Sequence, residues 1–449
     1  MTKPSQAREI ALDVLIEVLE RGGQCHVVLR QALEKYQYLD KKDRSLITRV
    51  TEGTIENRLA IDEVISRCSS VTIEKMKPLI RTLLRMSVYQ ILWMDRIPDR
   101  AVCNEAVNLA AKRHFTGLRG FVNGVLRRVC RQKESFVFSD WETRYSMPAW
   151  LIRLWEEQYD AKTVEGMLQT FLRQPPTSVR YNRSLTDAGA IRQSLERQGV
   201  TVKESPLTSS VVLLEGYDSL EELEVFEKGF IQVQDASSCL VGEIAAPQPG
   251  SVVLDVCGAP GGKALHLADQ MGGSGLVVVR DLTERKIRMV EENVFRAGYS
   301  NVRTEVWDAR VYDPSWEQRA DLVIADLPCS GLGVIGRKPD IKYRVTPERL
   351  AELAALQREI LTVVSRYVKP GGKLIYSTCT VNRMENEEQR EWFLAGFPFD
   401  PLPMEESAEI LKAEETTREG YIQLIPGRHP CDGFFIAAFR RRDEGSEAL

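Results

Sequence analysis

Apolar residues recur at helical spacing through the first third of the chain. Ile10, Val14, Leu15, Val18 and Leu19 share one face, and Gly22-Gly23 ends that run. Leu46, Val50, Ile55, Leu59, Val64 and Ile65 repeat the pattern, as do Leu79, Leu83, Leu84, Val88, Ile91 and Leu92 ahead of Pro98. A further helix is predicted from Leu118 to Cys130. Stripes at i, i+3, i+4 and i+7 mark helices that bury one side, so residues 1–138 read as an all-α domain.

Beyond residue 139 the period changes. Trp150, Leu151, Leu154 and Trp155 predict a helix, Thr177–Asn182 a strand, Ala188–Gln198 a helix and Val211–Leu214 a strand. Residues 139–235 therefore form a small α+β module. From 236 onward short apolar runs alternate with helical ones. Strands are predicted at Val252–Val256, Leu276–Arg280, Val302–Trp307, Leu322–Asp326 and Lys373–Thr378. Runs that are apolar throughout suit strands covered on both faces, and the alternation predicts a doubly wound, mostly parallel α/β sheet. Thr346 as N-cap and Pro347 behind it start the clearest helix, which Pro370-Gly371-Gly372 ends. A last strand, Phe434–Phe439, closes the sheet. This domain is expected over 236–442, with a loose polar tail at 443–449.

Composition sets limits on this picture. A chain of 449 residues holds two to four domains, and 43% hydrophobic with 28% charged residues suits a globular protein. No apolar run reaches the roughly 18 residues needed to span a membrane, and the first residues lack a signal-peptide core. The nine cysteines are scattered without a C-x-x-C pair. They read as free thiols of a reducing cytoplasm, with no metal site and no disulfide framework. The formal net charge of −4 excludes indiscriminate nucleic-acid binding by the whole surface. Yet Ala106–Lys133 contains Lys112, Arg113, Arg119, Arg127, Arg128, Arg131 and Lys133 and no acidic residue. Such a face suits RNA phosphates, or acidic parts of the same chain.

The candidate chemistry sits at the carboxyl ends of the predicted strands, where open α/β sheets bind ligands. The first strand runs into Cys257-Gly258-Ala259-Pro260-Gly261-Gly262-Lys263, a turn whose glycines let backbone approach a ligand. It matches neither the dinucleotide nor the P-loop pattern. The second strand ends at Asp281, which can accept ribose hydroxyls, and the third at Asp308, which can receive an adenine amino group. The fourth ends in Asp326-Leu327-Pro328-Cys329-Ser330-Gly331 and the fifth in Ser377-Thr378-Cys379-Thr380. A ligand with ribose and adenine but no phosphate to cradle fits S-adenosylmethionine better than NAD or ATP. Two cysteines at neighbouring strand ends suggest thiol chemistry. Cytosine C5 is a poor nucleophile until a thiolate adds at C6, after which C5 is enamine-like and can take an electrophilic methyl group.

Two resemblances follow. Asp95-Arg96-Ile97-Pro98, Ala101–Val107 and Gly117–Arg127, with Val122-Asn123-Gly124-Val125-Leu126-Arg127 at its end, resemble the antitermination factor NusB, a small helical RNA-binding fold. The segments Asp255–Lys263, Asp326–Gly331 and Ser377–Thr380, with the loop Gly333–Arg344, resemble the RNA cytosine-5 methyltransferases. That resemblance implies a class I methyltransferase fold and S-adenosylmethionine as cofactor. It implies Cys379 as nucleophile and Cys329 as the residue assisting release of the methylated base. Asp326 would stabilise the adduct, and Lys263 would lie near Asp326 or the substrate. Cys257, Gly258, Ala259, Pro260, Gly261, Gly262, Lys263, Asp281, Asp308 and Asp326 would form the cofactor pocket. Arg119, Arg127 and Arg128 of the helical face and Arg337, Lys338, Lys342 and Arg344 of the loop would contact RNA. The combination of the two resemblances implies 16S ribosomal RNA as partner and a monomeric enzyme, with neither DNA nor membrane as partner. Transfer RNA as substrate, or an RNA-binding factor on an inactive fold, are the alternatives. DNA cytosine-5 methyltransferases instead use the cysteine of the Pro-Cys pair, here Cys329. Gly258 departs from the family's usual alanine, Ala264 from a hydroxyl residue and Trp307 from glycine.

Overall fold

The computed structural model describes residues 3–404, 412 and 414–443. The chain divides into two compact units, Met1–Arg173 with Ile335–Arg344, and Gln174–Val334 with Val345–Leu449. No described helix is long and apolar enough to cross a membrane.

The first unit is all-helical. It contains α1 (Lys3–Arg21), α2 (Cys25–Lys35), α3 (Lys41–Glu56), α4 (Arg58–Cys68), α5 (Pro78–Trp93), α6 (Asp99–Lys112) and α7 (Arg119–Gln132). The apolar stripes meet in one core, in which Leu15, Val50, Val64, Leu84, Val88 and Leu126 are fully buried. Asp40 caps α3, its carboxylate accepting from Asp43 N at 2.9 Å. Helices at Trp141–Arg144, Ala149–Glu156 and Ala161–Phe171, which the sequence reading placed in the module of residues 139–235, fall within this compact unit. The physical reason is local. Ser146 Oγ, just after the first of these helices, accepts from Ala60 N of α4 at 3.1 Å.

The second unit holds two sheets. β1 (Thr177–Tyr181), β2 (Thr201–Glu204), β3 (Val211–Glu215) and β4 (Ile231–Val233) form an antiparallel sheet in the order β2-β3-β1-β4. The larger sheet comprises β5 (Val252–Asp255), β6 (Leu276–Asp281), β7 (Val302–Val306), β8 (Ala320–Asp326), β9 (Val368–Thr378), β10 (Phe399–Pro401), β11 (Tyr421–Leu424) and β12 (Phe434–Arg441). Its order is β10-β12-β9-β8-β5-β6-β7, with β11 also paired to β12. β9, β8, β5, β6 and β7 are parallel. β12 is antiparallel to β9 and interior, because β10 and β11 pair with it. β9 begins at Val368 and carries Pro370-Gly371-Gly372 through a register shift opposite Ala320–Leu322. Those residues interrupt a strand; the helix had ended at Val364. The tail expected to be loose lies, from residue 444, outside the described residues.

Candidate active site

The parallel strands bring the candidate residues of the second unit to one edge. After β5, Gly261 takes φ +102, a conformation that L side chains avoid, and the helix Gly262–Gln270 starts behind it. Gly258 sits in close contact: a Cβ there would lie 2.5 Å from Val279 Cγ1 and 2.7 Å from the Asp255 carboxylate, so those side chains would have to shift. Gly258 N donates to Arg280 O at 2.9 Å, and Asn293 Nδ2 donates to Pro260 O at 2.9 Å. Ala259 N donates to Asp281 Oδ2 at 3.2 Å, which ties the turn to the end of β6. Asp281 also accepts from Leu282 N and from Lys286 Nζ, at 2.7 and 2.9 Å, with its side chain only 3% exposed. Asp308 is more open, and its bond from Arg310 Nη2 at 2.7 Å holds its pKa below the usual carboxylate range.

Lys263 Nζ donates to Asp326 Oδ2 at 2.6 Å. Burial works against the lysine's charge, but Asp326 outweighs it and holds the ammonium above its ordinary pKa. Ser377 Oγ donates to the other oxygen of Asp326 at 2.8 Å, so β9 positions the carboxylate that β8 carries. Cys329 and Cys379 follow these strands and place their sulfurs 3.4 Å apart. The hydrogen bond to Cys379 raises the pKa of Cys329 well above that of an ordinary thiol. Burial and the charges of Cys379, Glu385 and Asp326 push the same way. Burial likewise raises Cys257.

Asp255 also faces this site, although sequence reasoning assigned it no role. It is fully buried at the end of β5, and neither carboxylate oxygen has a hydrogen-bond partner. Burial raises its pKa to about 7, against the pull of Lys263. With Gln234, Asp235, Gly258, Lys263 and Asp326 it lines a 120 Å³ cavity. An acid closing an apolar strand was the available signal. Ser377 and Glu385 were also missed, because their partners come from other elements.

The first unit carries the basic residues. Arg119, Arg127 and Arg128 are exposed on α7, and Arg128 Nη1 also donates to Cys68 O at 3.3 Å. Lys112 and Arg113, counted in the same basic run, are instead paired with Glu9 and Asp13 of α1. For those two, the acidic partner lies in the same chain. Arg337 and Lys338 are half-buried, and the exposed Arg344 pairs with Asp340 at 3.3 Å.

Lys342 corrects the sequence reading. It is 2% exposed, and its Nζ donates to Glu56 O at the end of α3, at 2.8 Å. Burial lowers its pKa to about 7. It anchors residues 335–344 inside the helical unit and offers no surface to a phosphate. Tyr343 completes the anchor: Arg58 lies over its ring at 3.8 Å and its hydroxyl donates to Ser146 O.

A central parallel sheet with a glycine turn, acids along its carboxyl edge and two apposed thiols defines a Rossmann-like methyltransferase. The comparisons agree. A family described as 16S rRNA methyltransferase RsmB/F matches residues 243–440, the NusB family matches 5–131, and the ferredoxin-like domain of RsmF/B-like methyltransferases matches 147–220. The probable ribosomal RNA small subunit methyltransferase B of Bacillus subtilis is 34% identical over 98% of this chain and all of its own. Its counterpart in Synechocystis is 32% identical over 97% of this chain and 99% of its own. The crystal structure of PH0851 superposes with a TM-score of 0.83 at 27% identity, covering 98% of this chain and 99% of that one. The chain belongs to the RsmB/F family of 16S rRNA methyltransferases. It is an RNA methyltransferase.

Proposed function

We propose that this protein methylates C5 of a cytosine in 16S ribosomal RNA, with S-adenosylmethionine as donor and Cys379 as covalent nucleophile. The observation that carries the reading is the 3.4 Å approach of Cys379 to Cys329 beside the Lys263–Asp326 pair. The cofactor supplies an electrophilic methyl group when bound. The residues fit it: Asp255, whose carboxylate is orphaned, lines a cavity beside the glycine turn and can face a cationic group. Asp281 would accept the ribose hydroxyls and Asp308 the adenine amino group.

The chain's own residues then divide the work. The neighbouring Cys379, burial, Glu385 and Asp326 hold the Cys329 thiol well above its ordinary pKa, so that sulfur keeps its proton. The Cys379 thiolate adds at C6, and the C5–C6 electron pair moves to C5, which takes the methyl group. Water then takes the C5 proton, the C5–H electron pair restores the C5–C6 double bond and Cys379 leaves as thiolate, with Cys329 held beside the adduct to assist that release. Lys263 pairs with Asp326 and orients its carboxylate toward the N3/N4 edge of the base. The target base must be unpaired or flipped out to reach this edge of the sheet. Arg119, Arg127 and Arg128 supply phosphate contacts.

The test is methyl transfer from labelled S-adenosylmethionine to unmodified 16S rRNA, with transfer RNA and DNA in parallel. The expected product is 5-methylcytidine in 16S rRNA alone. Cys379→Ala should abolish it, and Cys329→Ala should accumulate a protein–RNA adduct. Label retained in Cys379→Ala and lost in Cys329→Ala would overturn the assignment.

A further inference from the structure

Glu385 is fully buried in the short helical turn Arg383–Glu385, downstream of Cys379. Both of its oxygens are saturated by donors. Oε2 accepts from Ser330 N at 2.9 Å and from Gln357 Nε2 at 3.1 Å. Oε1 accepts from Ser330 Oγ at 2.5 Å and from Asn382 Nδ2 at 3.1 Å. Ser330 follows Cys329 directly. Its hydroxyl also shares a 2.7 Å bond with Thr380 Oγ1, and Thr380 follows Cys379. Gln357 reaches the residue on the other side of Cys329, donating to Pro328 O at 3.0 Å. The Tyr376 hydroxyl holds the backbone of the same turn, donating to Glu385 O. One buried carboxylate is therefore the node joining the two cysteine-bearing loops. Four donors converge on it, so a neutral amide could not replace it without setting donors against a donor.

We propose that Glu385 is a positioning residue that sets the separation of the two thiols and so governs release of the methylated base relative to formation of the adduct. The proposal rests on the two-cysteine reading above. Addition at C6 needs only Cys379 and the base, whereas release needs Cys329 held beside the adduct. Loosening the node should slow the second step more than the first. Misplacement by about 1 Å costs about a hundredfold in a step that depends on alignment.

Two variants of the full-length protein, Glu385→Gln and Glu385→Asp, and two readouts test this. The first readout is the rate at which diamide oxidises Cys329 and Cys379 to a disulfide, followed by peptide mass mapping. It requires no RNA. Glu385→Gln should slow it about tenfold or more, with Glu385→Asp between Gln and wild type, since aspartate keeps the charge but shortens the reach. The second is the split between single-turnover methyl transfer and steady-state turnover on 16S rRNA. Turnover should fall at least tenfold further than transfer, and the denaturant-stable protein–RNA adduct should accumulate. An unchanged disulfide rate in a folded Glu385→Gln protein would overturn the proposal. Transfer and turnover falling by equal factors, without adduct, would do so as well. If Glu385→Gln does not fold, Glu385→Asp with a wild-type disulfide rate and a wild-type split gives the same refutation. A slowed disulfide in a protein whose methylation survives Cys379→Ala would leave the positioning role standing and remove the covalent mechanism instead.

Discussion

Lys342→Met should stabilise the helical unit at neutral pH. A lysine with a folded-state pKa of about 7, against 10.5 when unfolded, is destabilising wherever the unfolded chain binds the extra proton. The sign follows directly. Between pH 7 and 10.5 the unfolded state binds more protons, so stability rises with pH across that window. At 1.36 kcal/mol per pH unit, the wild-type penalty is about 4 kcal/mol at pH 7, about 2 at pH 9 and below about 1 at pH 10. The substitution also forfeits the bond to Glu56 O and leaves that carbonyl unsatisfied, a cost of about 2 kcal/mol at any pH. The net gain is therefore about 2 kcal/mol at pH 7, crosses zero near pH 9 and becomes a loss of about 1 kcal/mol at pH 10. Urea unfolding of full-length wild type and variant, followed by amide exchange in α3 and α4, reads the difference directly. A variant less stable than wild type at pH 7, or a difference that stays constant from pH 6 to 10, would refute the reasoning. The same variant should bind RNA as wild type does, since the side chain never reaches solvent.

Three further outcomes follow from the site and the basic face. Arg119→Ala with Arg127→Ala should lower the dependence of log affinity on log salt by about 1.4 to 1.8, at about 0.7–0.9 per lost phosphate contact; an unchanged slope in filter binding removes α7 from the RNA interface. Asp255 gains its charge as pH rises through about 7, so affinity for S-adenosylmethionine should strengthen from pH 6 to 8. Calorimetry on Asp255→Asn should show that dependence lost, and a parallel pH profile in the variant would sink the assignment. Gly333 N donates to Cys379 O at 3.1 Å, and a Cβ on Gly333 would overlap the backbone of Gly433. Gly333→Ala should therefore cost about a hundredfold in methyl transfer with little change in cofactor affinity; full activity would show that this loop does not position the nucleophile.

The central parallel strands β5, β6 and β8 were readable because they are largely apolar and buried on both faces, and their carboxyl ends carry recognisable chemistry. The shortest strands were not. β2 and β4 have four and three residues, and β10 and β11 alternate too briefly to stand out. The glycine turn, Lys263, Asp326 and both cysteines could be placed on one edge because strand–helix alternation implies parallel strands whose carboxyl ends share that edge. Glu385 gives no comparable signal, since its importance lies in donors contributed by Ser330, Gln357 and Asn382. Lys342 misled for the same kind of reason. A lysine in a basic loop reads as a surface charge unless the loop is known to enter a core, and only the packing of residues 335–344 reveals that. Lys112 and Arg113 show the converse, a run without acids whose counter-charges lie a hundred residues earlier in α1.

The excursion of residues 335–344 into the helical unit makes that unit depend on the order of synthesis. Its helices are complete once residue 173 has been made, yet the backbone amide of Cys25 lacks Asp340 and the last carbonyl of α3 lacks Lys342 until residue 344 emerges. At about 5–20 residues per second, that wait is roughly 10 to 30 s. During translation the N-terminal helices stand as an open mould, and a segment from within the catalytic half of the chain is the piece that fills it.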